Sequence, residues 1–110
     1  MSRRELEAAN EAHARDRIAA QLRPKLLRRI AGLPGASASM LRALLPTQGA
    51  NAVTDLTVTA QSTQDQVRTA YRRAMARMHP DRTQHLKTIE DRVEAEEIYK
   101  LLNAQYEHLK

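Results

Sequence analysis

His79, Pro80 and Asp81 stand in succession in this 110-residue chain, and His85 follows four residues after Asp81. An imidazole and a carboxylate this close suggest three chemistries. His79, Asp81 and His85 offer three metal ligands, but no fourth donor lies at a spacing that would close a tetrahedral site. A hydrolytic His–Asp pair needs a positioned nucleophile beside the imidazole, and none is in view; the chain has no cysteine at all. The expectation is therefore no enzyme, no metal and no cofactor. The third chemistry is recognition. Proline fixes one torsion and removes a donor, which holds a turn open. Aspartate presents a compact anionic acceptor suited to a bidentate bond from a partner's arginine. Histidine can bond to the backbone and still offer a second nitrogen.

The elements around this tripeptide must position it. Before it, Val67, Ala70, Tyr71, Ala74, Met75 and Met78 recur at helical spacing and span an arc of about 140°, wide enough to face a core. Ser62 followed by Asp65 reads as a capping box, and Pro80 pushes His79 out of the helical region, so the helix is expected over 63–78. Arg68 and Arg72 flank one side of its apolar stripe, Arg73 and Arg77 the other. Thr88 and Asp91 repeat the cap spacing and open a last helix over 88–109, about 31 Å long, with Ala95, Ile98, Leu102, Tyr106 and Leu109 on one face. A polar loop, 79–87, joins the two helices into a hairpin.

Upstream, Ser37 or Ser39 caps a short helix over 37–45 with Met40, Leu41, Leu44 and Leu45 on its apolar face, and Pro46 ends it. Residues 46–61 form a loop anchored by Val53, Leu56 and Val58. Residues 1–35 read as a charged helical extension, exposed or loosely docked, interrupted at Pro24 with a short restart over 24–31. The fold class is all-α, with the main domain over 36–110.

Composition sets the outer bounds. Three tyrosines are the whole aromatic complement, so the core must be aliphatic. No apolar run is long enough to span a bilayer, and the N-terminus lacks the apolar centre of a signal peptide. Its acids Glu5, Glu7, Glu11 and Asp16 also argue against a mitochondrial presequence, which leaves the cytoplasm as the expected compartment. The net charge of +5 calls for an acidic partner: nucleic acid, an anionic membrane or an acidic protein face. Nucleic acid is the weaker option, because no exposed aromatics interleave the arginines to stack on bases.

The run Ala70-Tyr71-Arg72-Arg73-Ala74-Met75-Ala76-Arg77-Met78-His79-Pro80-Asp81-Arg82 resembles the J-domain (DnaJ-type) co-chaperone family, whose defining motif is His-Pro-Asp between its second and third helices. The resemblance covers 62–110 well and 37–61 loosely. It implies a monomeric partner of a heat-shock protein 70 (DnaK-type) chaperone, with Asp81 engaging an arginine near the chaperone's interdomain linker and ATP hydrolysis stimulated there. It also implies that Arg68, Arg72, Arg73 and Arg77, with Arg82 after the motif, meet an acidic chaperone face. Within the family, Met40-Leu41-Arg42-Ala43-Leu44-Leu45, the long loop and Ala95-Glu96-Glu97-Ile98-Tyr99 are similar to the C-terminal domain of auxilin and cyclin-G-associated kinase. That likeness implies clathrin coats as the target. The chain lacks the tryptophans usual in the auxilin loop, a clathrin-box leucine cluster and an Asp-Pro-Phe repeat.

Overall fold

The computed structural model describes residues 2–110. Five helices follow in order: α1 (Arg3–Ile30), α2 (Ala38–Leu44), α3 (Gln64–Met78), α4 (Pro80–Thr83) and α5 (Ile89–Tyr106), with no strand among the described residues. The all-α expectation is met.

The hairpin of α3 and α5 is antiparallel. At one end Arg68 Nε donates to the Leu109 carbonyl at 2.7 Å, and at the other the His79 ring meets Tyr99. Val67, Tyr71, Ala74 and Met78 from α3 pack on Ala95, Ile98 and Leu102 from α5, and α2 adds Met40, Leu41 and Leu44 to the same cluster. Tyr71 is fully buried, and its hydroxyl donates to the Ser37 carbonyl at 2.8 Å, which ties α3 to the start of α2.

The caps are local decisions. Ser37 Oγ accepts from the Met40 N–H and Thr88 Oγ1 from the Asp91 N–H, as the spacing predicts. On α3 the capping residue is Thr63 rather than Ser62. Thr63 Oγ1 accepts from the Gln66 N–H at 3.1 Å, and Gln66 Oε1 accepts from the Thr63 N–H at 2.8 Å, a reciprocal box that Asp65 does not enter.

Two expectations are corrected. Pro24 does not interrupt the first helix, which runs 28 residues through it. Proline deprives the Ala20 carbonyl of its helical donor, but both residues lie on the exposed face, where water can serve that oxygen. Nor is this segment loosely docked. Leu26 is fully buried within the core cluster, Ala19 is buried, and Leu22 and Ile30 pack against the cluster from the edge. Ion pairs continue the contact outward. Arg15 bonds Glu96, Arg92 meets Glu11 at 3.4 Å, and Arg23 meets the buried Glu97 at 2.8 Å. Glu11–Arg92 and Arg15–Glu96 advance together along both helices, so α1 runs parallel to α5. Gly32, with φ +79°, then turns the chain out of α1 in a conformation that side-chain-bearing residues resist.

Candidate functional site

His79 ends α3 and starts α4. Its backbone is extended (φ −61°, ψ 136°), as expected before a proline, and its Nδ1 accepts from the Asp81 N–H at 3.1 Å. That bond places the imidazole proton on Nε2. The ring stands edge-on to Tyr99, centroids 5.3 Å apart and planes at 81°, which props the turn on α5.

The expected open loop 79–87 is partly helical instead. Pro80 occupies the first position of α4, where its missing N–H has no helical partner to lose. The His79 carbonyl accepts from the backbone N–H of Arg82 at 2.9 Å and of Thr83 at 3.2 Å. The buried Thr83 adds its hydroxyl at 3.3 Å. The tripeptide is therefore pinned from both sides, while the Asp81 side chain is 82% exposed. The nearest nitrogen paired with it is His79 Nδ1 at 3.8 Å, and that nitrogen already accepts from the Asp81 N–H. The carboxylate is left open to an outside donor.

The flanking arginines divide into two groups. Arg68 is committed internally, to the Leu109 carbonyl and to Asp65 at 2.6 Å. Arg77 pairs with Asp55 of the loop at 2.6 Å. Arg72 has only a 3.4 Å bond to the Thr69 hydroxyl. Arg73 and Arg82 are exposed and have no ion pair among the described residues. Arg77 and Asp55 both line a groove of about 440 Å³ between the loop and α3, with Leu45, Val53, Leu56, Val58, Ala70 and Ala74 among its apolar lining.

Among the described residues, no three His, Cys, Asp or Glu side chains gather closely enough to hold a metal ion, so His79, Asp81 and His85 are not brought together as ligands. No helix of the structure is long and apolar enough to cross a membrane. One residue that sequence reasoning missed is Asn51. It is buried, and its amide donates to the Asp91 carbonyl at 2.9 Å and to Glu94 at 3.0 Å, fixing the loop to the start of α5. A lone Asn in a Gly- and Ala-rich stretch carries no periodic signal.

The fold and site define a helical recognition module: an exposed carboxylate on a braced hairpin tip, beside a helix with outward arginines. The DnaJ domain family model matches residues 54–110, more than half of the chain, and the chain belongs to that family. Membership implies, in general terms, a co-chaperone of heat-shock protein 70. No curated protein and no solved structure matches the chain. The match begins inside the loop and leaves α1 and α2 outside it.

Proposed function

We propose that this chain docks α3 on an acidic face of a heat-shock protein 70 chaperone and stimulates its ATP hydrolysis through Asp81. The exposed, unpaired Asp81 carboxylate on a turn braced by His79 carries this reading. A carboxylate held this way loses little conformational freedom when it accepts two N–H bonds from an arginine. Hydrolysis itself stays with the chaperone; binding shifts that protein's conformational equilibrium by the difference in affinity for its two states. Arg72, Arg73 and Arg82 supply the charge that speeds and orients the encounter. Arg68 and Arg77 act behind them, because their guanidinium groups already hold internal acceptors.

The test is single-turnover ATP hydrolysis by a heat-shock protein 70 with the wild-type chain and with Asp81→Asn. Stimulation that the folded variant loses is the expected result. No stimulation across several such chaperones would refute the proposal. Clathrin-coat disassembly is a narrower form of the reading, and it rests on the auxilin-like Met40–Leu45 stretch. Met40, Leu41, Leu44 and Leu45 are all buried in the core, so packing alone accounts for their types. Cosedimentation with assembled clathrin cages decides that point, and absence from the pellet discards it.

A further inference from the structure

Between Arg17 and Thr54 the sequence holds six cations, Arg17, Arg23, Lys25, Arg28, Arg29 and Arg42, and no acid. Two of the six are used internally: Arg23 pairs with Glu97, and Arg42 donates to the Val58 carbonyl at 2.7 Å. Arg17, Lys25, Arg28 and Arg29 are exposed and have no ion pair among the described residues. All four lie on α1. At 3.6 residues per turn they fall within about 120° of its circumference and over about 18 Å of its length.

The same helix carries Leu6, 51% exposed, and Leu27, 53% exposed, the two large hydrophobic side chains that stand out in solvent among the described residues. They lie about 60° apart around α1, Leu6 about 20° and Leu27 about 80° from the same edge of the cation stripe. The core-facing side of α1 is occupied: Ala19 and Leu26 are buried, and Leu22 and Ile30 pack at the edge. What remains outward is a strip of unpaired positive charge with two exposed leucines on one flank, Leu27 beside it and Leu6 about 16 Å before Arg17.

We propose that this outer face of α1 binds an anionic lipid surface. Phosphate groups of lipids complement the four cations, and the two leucines give the strip an apolar component that can enter the headgroup boundary. A nucleic-acid duplex would use the cations but has no role for the leucines, and the strip offers no exposed aromatic to stack on bases. The α3 arginines and Asp81 belong to other elements, so a membrane-bound chain keeps them available. The inference stands independently of the chaperone reading.

Flotation of the full chain with vesicles provides the test, comparing phosphatidylcholine alone with phosphatidylcholine containing one-third phosphatidylserine. Partition into the anionic vesicles only is expected, weakening as salt is added. Each cation near such a surface is worth about fivefold in partition, so Arg28→Gln with Arg29→Gln should lower it on the order of tenfold or more. Arg17→Gln with Lys25→Gln, away from the helix end, should act similarly, and Leu27→Ser should weaken partition severalfold. Circular dichroism confirms that each variant is folded. Asp81→Asn should float as wild type, and the Arg28/Arg29 variant should stimulate a heat-shock protein 70 as wild type, so the two proposals fail separately. Absence from anionic vesicles at low salt overturns the proposal. So does partition unaffected by either double substitution, or tighter retention on duplex DNA that Leu27→Ser leaves unchanged.

Discussion

Arg77 on α3 and Asp55 on the preceding loop form an ion pair at 2.6 Å, and both line the groove between those two segments. The bond from Arg77 is the largest influence holding the Asp55 carboxyl below its ordinary value of 3.8, with the charges of Arg77 and Arg73 adding to it. Asp55 thus sits where an acidic partner of α3 would place its own carboxylate.

Removing this built-in competitor should strengthen docking. Asp55→Asn is expected to raise affinity for a heat-shock protein 70 by about two- to fivefold, the range of an exposed ion pair. Glu90→Gln makes the same charge change at an exposed site away from the groove and should do less. In an Arg77→Ala background the Asp55 effect should vanish. Titration calorimetry on the four-member cycle reads the coupling directly.

The Asp55–Arg77 pair also has a pH signature. A depressed carboxyl pKa contributes stability that is complete above the unfolded value and is lost as pH falls through the folded one. Acid unfolding of Asp55→Asn, followed below pH 3.8, should therefore be less steep than that of wild type.

Asp81→Asn should separate function from folding. The side chain is 82% exposed, and the bond at its position, from the Asp81 N–H to His79, involves only backbone on the Asp81 side. Unfolding free energy is expected within about 0.5 kcal/mol of wild type by urea titration. Stimulation of the chaperone should drop to background in the same preparation.

Leu26→Ala tests whether α1 belongs to the core. Leu26 is fully buried among residues of the main cluster, so truncation should cost about 2–5 kcal/mol of transfer and cavity energy. Leu27→Ala, one residue on and half exposed, should change urea stability by less than about 0.5 kcal/mol.

Tyr71→Phe removes the bond to Ser37 without opening a cavity. The Ser37 carbonyl still accepts from the Leu41 N–H at 3.1 Å, so it is not orphaned, and the loss should be about 1 kcal/mol. Burial pushes the Tyr71 hydroxyl up to about 12, from 10.0. Its neutral form is favoured by folding, so wild-type stability is complete below pH 10 and falls as pH rises towards 12. The phenylalanine variant should lack that component in alkaline denaturation.

Much of the hairpin was legible because its signals are local and periodic. Val67, Tyr71, Ala74 and Met78 are buried as their spacing requires, and Ala95, Ile98, Leu102 and Leu109 likewise. Ser37 and Thr88 cap where a hydroxyl precedes an apolar run. Thr63 was missed because Ser62 offers the same hydroxyl one residue earlier, and only the glutamine at 66 settles the choice. The short helix α4 was missed because Pro80 ends one helix and begins another, and the stop signal is the more familiar of the two.

Long-range partners explain what stayed hidden. The buried side of α1 is mostly alanine, leucine and charge, and Arg15, Arg23 and Glu11 meet residues more than seventy positions away. In sequence they are indistinguishable from a solvated face. At the site, the tripeptide and its place on a hairpin tip were readable. That Arg68 and Arg77 are held internally was not, because their acceptors, Leu109 and Asp55, lie on other elements.

The burial of Leu26 separates two units that usually coincide. Residues 54–110 carry the family likeness, yet they share one hydrophobic cluster with Leu26, Met40, Leu41, Leu44 and Leu45, all upstream of that boundary. A fragment cut at the edge of the likeness would keep the whole recognition motif and expose the apolar side of α5 to water. Any exchange of this module between proteins, by recombination or in the laboratory, must therefore transfer α1 and α2 along with the hairpin they cover.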